Sequence, residues 1–192
     1  MLTDSRDGQT YKTVIIGSQT WMAENLNYES INSFCYDDDV GNCSKYGRLY
    51  TWSAAIDSVG TWGDNGKGCG YESTCSLIEP VRGVCPSGWH LPSADEWESL
   101  FAATGDELIA GTKLRSKSGW ELDGNGTDDF GFSAFPAGQR DGTYYVGEGY
   151  DADFWSSTGY EETAFRMCLS FDDMFVGHHP TNIALSVRCL KD

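Results

Sequence analysis

Seven cysteines, at positions 35, 43, 69, 75, 85, 168 and 189, are spread through a chain with 23 glycines. Long polar, glycine-laced stretches separate short apolar runs, and surfaces of that kind are often stapled by disulfides in oxidising compartments. Zinc is the rival explanation. No C-x-x-C pair occurs, and His90, His178 and His179 have no ligand spacing to a cysteine. Disulfides are therefore favoured. Cys35 with Cys43 and Cys69 with Cys75 make local pairs. Cys85 with Cys189 would tie the middle of the chain to its end, a loop long enough to stabilise by about 4–5 kcal/mol in the chain-entropy model. Cys168 is left over, in a segment that alternates like a strand, and reads as a buried apolar thiol rather than a nucleophile. The expected location is secreted or cell-surface, associated with an outer membrane. Met1-Leu2-Thr3-Asp4 has neither the basic start nor the apolar run of an export signal, so that signal is expected to be absent from this sequence.

A formal charge of −16 excludes several partners. Nucleic acid is bound by clustered Lys and Arg that displace counterions, which this chain lacks. Anionic membrane surfaces are excluded on the same ground, and no stretch is long and apolar enough to insert in a bilayer. Disorder does not fit either, because aromatic residues make up 14% of the chain. A single domain over residues 1–192 suits the length.

Along the chain, Thr10–Ile16 and Gln19–Met22 read as a hairpin turning at Gly17-Ser18. The region after it, with the first cysteine pair, reads as loop. Leu49–Ile56 is a short helix candidate. Ser93 and Glu96 have capping-box spacing, Asp95 and Glu96 suit the positive end of a helix dipole, and Trp97, Leu100 and Phe101 share one face. Gly105 ends this helix, and a second is expected from Asp106 to Leu114. Gly119–Gly149 reads as irregular. Strands are expected at Asp153–Ser157, Phe165–Phe171 and Ala184–Leu190, the last with Leu185, Val187 and Cys189 on one face. The class is α+β, with small antiparallel sheets and two or three short helices.

Several stretches carry a family resemblance. They are Gln19-Thr20-Trp21-Met22-Ala23-Glu24-Asn25-Leu26, Lys45-Tyr46-Gly47-Arg48-Leu49-Tyr50-Thr51-Trp52 and Gly83-Val84-Cys85-Pro86-Ser87-Gly88-Trp89-His90-Leu91-Pro92-Ser93. Asp129-Phe130-Gly131-Phe132-Ser133, Phe154-Trp155-Ser156-Ser157-Thr158 and Ser186-Val187-Arg188-Cys189 continue the pattern. The chain, from about residue 8 to 192, resembles the Fibrobacter succinogenes major paralogous domain of bacterial surface proteins and lipoproteins. That family is similar in pattern to C-type-lectin-like folds, the formylglycine-generating enzyme branch in particular. The resemblance implies two helices on a small antiparallel sheet, a large irregular loop region, and a Cys85–Cys189 bridge to the last strand. It places Trp21, Trp52, Trp89 and Trp97 in the core.

No catalytic constellation emerges. The reactive cysteine pair of the formylglycine-generating enzymes is missing, as are the G-x-S-x-G, H-E-x-x-H and phosphate-loop motifs. His178 and His179 read as solvated loop residues. Asp123, Asn125, Asp128 and Asp129 lie on a glycine-rich loop that could hold Ca2+, the one cofactor in view, although a self-capped turn explains them more simply. Asp37-Asp38-Asp39 reads as a solvated loop. The sugar-coordinating motifs of calcium-dependent lectins are absent. Tyr144, Tyr145 and Tyr160 are candidate ligand contacts, as are Phe175, His178 and His179 in the segment 160–182, which also contains Phe171, Asp172 and Met174. The expected function is non-catalytic binding of a polysaccharide or a surface protein through the loop face. A structural envelope or adhesion subunit is the alternative. A hydrolase or oxidase would instead show a concave pocket with perturbed carboxylates, histidine or a reduced Cys168.

Overall fold

The structure, a computed structural model, describes residues 1–105, 107–171 and 173–192. Strands β1 (Leu2–Thr3), β2 (Thr10–Tyr11), β3 (Thr13–Ile16), β4 (Gln19–Met22) and β5 (Ser33–Phe34) come first. Helix α1 (Val40–Tyr46), strand β6 (Leu49–Thr51), the single-turn helix α2 (Trp52–Ala55) and strand β7 (Trp89–His90) follow. Next come α3 (Ala94–Ala103) and α4 (Glu107–Leu114). The remainder is strand: β8 (Ala137–Asp141), β9 (Tyr144–Glu148), β10 (Ala152–Tyr160), β11 (Thr163–Leu169), β12 (Met174–Pro180), β13 (Ala184–Ser186) and β14 (Leu190–Lys191). The class is α+β. The largest sheet runs β12-β11-β10-β13-β6-β5, with the β8–β9 hairpin attached to β13. A second sheet is β3-β4-β14-β7, and β1 pairs with β2.

Where local chemistry decides, expectation and structure agree. Gly17 takes φ +61° at the head of the β3–β4 turn, and Ile16 faces Gln19 across it. The capping box is complete: Ser93 Oγ accepts from the Glu96 amide at 3.3 Å and the Ser93 amide donates to Glu96 Oε2 at 2.8 Å. Trp97, Leu100 and Phe101 are buried. The second helix is present from Glu107, while Asp106 lies outside the described residues.

Where a partner strand decides, the structure corrects the expectation. Leu49–Ile56 is not one helix. Leu49, Tyr50 and Thr51 pair with Ser186, Leu185 and Ala184, and only the next four residues turn helically, capped by Thr51 Oγ1. The ladder overrides helical spacing there. The expected loop around Cys43 contains α1, capped by Asp39, whose Oδ1 accepts from the Gly41 amide at 2.8 Å. Gly119–Gly149 is not wholly irregular, since it holds the β8–β9 hairpin with Gly142 at φ +57° in its turn. Finally, Ala184–Leu190 is two strands. β13 belongs to the large sheet and β14 to the second, so this segment stitches the sheets together. Between them, the carbonyls of Val187 and Cys189 accept from the amides of Leu26 and Met22 at 2.9 and 3.0 Å. Leu185, Val187 and Cys189 are all buried.

Two aromatic clusters form the core. Trp21 stacks on Trp97 with ring centres 4.6 Å apart, and Phe132 meets both edge-on. In the other cluster Trp52 and Trp155 satisfy their indole N–H groups on the carbonyls of Ser156 and Tyr50, at 2.9 and 2.7 Å. The first bond fixes α2 against β10 and the second fixes β10 against β6, whereas the indole N–H of Trp21 in the first cluster has no partner. Arg188 lies between the clusters, with Phe132 and Phe154 against its guanidinium at 4.3 and 5.2 Å.

All three expected disulfides are formed: Cys35–Cys43, Cys69–Cys75 and Cys85–Cys189. Cys168 is free and buried, and burial raises its thiol pKa against the opposing charge of Arg166, so it is no ready thiolate. The bridges span 8, 6 and 104 residues of sequence, and loop length sets their worth in the chain-entropy model. Replacing Cys85 and Cys189 by Ser should lower unfolding free energy by about 4–5 kcal/mol, and replacing Cys69 and Cys75 by about 2–3 kcal/mol, read by denaturant titration.

Candidate functional site

Six of the seven tryptophans are buried; Trp62 alone is partly open. It stands in the wall of a cavity of about 250 Å3 between the segment Tyr28–Asn32 and the loop that follows α2. The loop is held from below by one carboxylate. Asp57, buried and at φ +61°, accepts from the amides of Thr61 and Trp62 at 2.8 and 2.6 Å. That bidentate cap turns the backbone and sets the indole against Tyr28, ring centres 5.6 Å apart and planes at 70°.

Behind the two rings is a guanidinium. Arg6 lies 3.8 Å from the Tyr28 ring centre and 4.8 Å from that of Trp62. It is locked by Asp4, to which Nε and Nη2 donate at 2.9 and 2.6 Å, and by the Val84 carbonyl at 2.8 Å. Burial opposes ionisation of Asp4, but the bonds and charge of Arg6, helped by Arg82, hold its carboxyl below the ordinary value. The opening carries hydroxyl, amide and carboxylate groups from Ser53, Ser58, Thr61, Asn32 and Glu29, with Ile31 and Val59 exposed at the rim. Ser30 Oγ, also in the lining, is buried without a hydrogen-bond partner. This mix of flat aromatic surface and short polar groups suits a ligand that is itself part apolar and part hydroxylated.

Sequence reasoning missed this site because exposure of a tryptophan is a tertiary property. One partial signal was available: Trp62 and Trp120 are the two tryptophans that lie neither in the resembling stretches nor on the buried face of the capped helix, and both stand in glycine-rich segments. The residues singled out from sequence are distributed differently. Tyr144 stands alone at the tip of the β8–β9 hairpin, 77% exposed. Tyr145 is engaged, donating to Asp38 at 2.6 Å and packing on Tyr36. Tyr160 and His178 come together, ring centres 4.9 Å apart, with Phe165 edge-on beside them. Phe175 lies under the Arg166 guanidinium. His178 and His179 are on strand β12 and not in a loop, so they face opposite sides of the sheet. Burial, with the charges of Arg166 and His178, pushes His179 down to about 4 against the pull of Asp141, leaving it neutral. Asp172 lies outside the described residues.

The loop proposed for calcium is spent largely on itself. Asn125 Oδ1 accepts from the Trp120 amide at 3.1 Å, and Asp128 accepts from the amide and hydroxyl of Ser133 at 2.7 and 2.5 Å. Asp123 and Asp129 are exposed, and Asp123 and Asp128 take positive φ, as turn residues do. Among the described residues no three His, Cys, Asp or Glu side chains are gathered as a metal would need.

A second opening holds His90, whose Nδ1 is 2.8 Å from Asp192 and Nε2 3.0 Å from Glu96. Burial disfavours the charged ring, but these two carboxylates outweigh it and raise the pKa. Both nitrogens are engaged as donors in the imidazolium, so the ring has no free lone pair for general-base work. The group ties β7, the first turn of α3 and Asp192 together.

Two pH effects of opposite sign follow. The raised pKa of His90 makes its contribution full below about pH 6.5 and lost as pH rises through the folded value. His90→Gln should therefore cost stability in mild acid and progressively less towards alkali, read as the gap in urea midpoint across pH. The lowered pKa of Asp4 makes its contribution full above the ordinary 3.8 and lost as pH falls through the folded value. Asp4→Asn should cost about 3 kcal/mol at neutral pH, because it unpairs a buried guanidinium, and the gap should close in strong acid.

Among curated proteins nothing matches this chain, and among solved structures nothing does either. The family model of the Fibrobacter succinogenes major domain matches residues 14–191. That span takes in every element from β4 to β13, all seven cysteines and the whole of the Trp62 loop. The chain belongs to the Fibrobacter succinogenes major domain family.

Proposed function

We propose that this domain is a non-catalytic binding module of the bacterial cell surface, and that the Trp62 pocket takes a neutral polysaccharide. The carrying observation is Trp62 itself: the one tryptophan left partly open is braced by Tyr28 and Arg6 in a cavity rimmed by hydroxyl and amide groups. Aliphatic faces of sugar rings pack on flat aromatic rings, while short polar side chains fix their hydroxyls.

The C-type-lectin-like relation belongs to this reading. Short sheets, irregular loops and a Cys85–Cys189 bridge support it. So does an address outside the cytosol, since three disulfides persist in oxidising compartments. No helix of the described residues is long and apolar enough to cross a membrane. A surface protein is the second ligand class, favoured by Ile31 and Val59, which place apolar side chains at the rim of the same opening.

Calorimetry with soluble neutral glucans and mannans tests the reading. At least one should bind without being consumed, and Trp62→Ala should weaken it about tenfold or more, because a central aromatic contact is worth at least ~1.4 kcal/mol. Full affinity in a folded Trp62→Ala protein would overturn the assignment of this pocket.

A further inference from the structure

A separate cavity, of about 300 Å3, opens between the segments 9–12 and 23–27, the last turn of α1 and the segment 131–135. Arg188 forms part of its wall and is 1% exposed. Its Nε donates to Asn25 Oδ1 at 2.8 Å, Nη2 to the Ser133 carbonyl at 2.7 Å and Nη1 to the Phe132 carbonyl. These three acceptors are neutral, and among the described residues no carboxylate lies within ion-pair distance. A guanidinium has five N–H groups, so two remain beyond these three bonds. Burial pushes Arg188 down to about 9, with Asp128 and Glu24 pulling the other way, so at neutral pH it is a buried cation. Such a charge without a counterion is costly unless something supplies one.

The rest of the lining carries the same sign. Lys12 and Lys45 face the cavity against one carboxylate, Glu24. Their own ion pairs, to Glu24 and Glu148, are exposed and 3.5 Å long, of the kind that exchange readily. On a chain of charge −16, a lining with three cationic side chains and one carboxylate departs from the overall balance. Gln9, Thr10, Asn27 and Ser44 add uncharged hydrogen-bonding groups around it.

We propose that this cavity is a binding site for the carboxylate of an acidic sugar, with the Arg188 guanidinium behind it and Lys12 and Lys45 at its mouth. The exposed ammoniums can donate to the carboxylate, the buried guanidinium adds its charge from the wall, and the surrounding amides and hydroxyls suit the hydroxyls of a hexuronate. The site is independent of the Trp62 pocket, and either can fail without the other.

Sodium glucuronate and glucose are the probes, titrated into 15N-labelled protein. Glucuronate should shift the Arg188 Nε–H resonance and the amides of residues 23–27 and 44–47, while glucose should leave them in place. The Lys12→Gln, Lys45→Gln double variant, altered only at exposed positions, should bind glucuronate more weakly by about twofold to fivefold per charge removed. Trp62→Ala should bind it unchanged. Arg188→Gln should abolish the shifts if it folds; if it does not, the double variant decides alone. Equal response to glucose and glucuronate, shifts confined elsewhere, or undiminished affinity in the double variant would overturn the proposal.

Discussion

A buried guanidinium sits where the two sheets meet. Arg188 reaches from the segment between β13 and β14 to the Asn25 side chain and to the carbonyls of Phe132 and Ser133. Asn25 in turn donates to the Tyr46 carbonyl and to Ser186 Oγ. Two side chains, Arg188 and Asn25, thus join four segments. A hydrophobic residue of equal size would fill the volume and leave those carbonyls and the Asn25 amide oxygen unpaired, which is the larger penalty. The aromatic faces of Phe132 and Phe154 make the cation tolerable in the core.

The same logic of one polar group organising irregular backbone recurs at the surface. Asp57 shapes the Trp62 loop through two amides. Asp128 folds the loop at 128–133 onto Ser133. Asp39 starts α1. Part of the acidic content that reads in composition as a solvated coat is therefore structural, and an Asx cap explains a carboxylate better than a metal does where its oxygens already accept backbone amides.

Legibility in the sequence followed the range of the interaction. The β3–β4 turn, the capping box at Ser93 and the two local disulfides depend on residues within a few positions of each other, and each could be read. The long Cys85–Cys189 bridge is different: local spacing leaves Cys85, Cys168 and Cys189 over, and the family resemblance is what implies that the first and last of them pair. The β8–β9 hairpin could not: Ala137–Asp141 and Tyr144–Glu148 lack apolar alternation, and only the Asp141-Gly142 pair hinted at the turn. β12 was hidden for the same reason, its glycine and histidines reading as loop. The break between β13 and β14 was invisible because both halves keep one uninterrupted apolar alternation, while the change of sheet is imposed by β4 and β7. None of the aromatic residues singled out from sequence lines the Trp62 pocket. Tyr145 looked free and is engaged, whereas Trp62 passed unremarked.

The position of Cys189 has a mechanical meaning. It lies one residue before β14, and its bridge anchors to Cys85, just ahead of β7 on the far side of that short strand. Tension applied at Asp192 would peel two residues of β14 and then meet a covalent bond. The load would pass into Cys85, and residues 86–188, enclosed by the bridge, could not be drawn out with it. Of the cavity at Arg188, the segment 131–135 and Arg188 itself lie inside the loop that this bridge closes and are shielded from extension, whereas the Trp62 pocket lies wholly ahead of Cys85 and would carry the load.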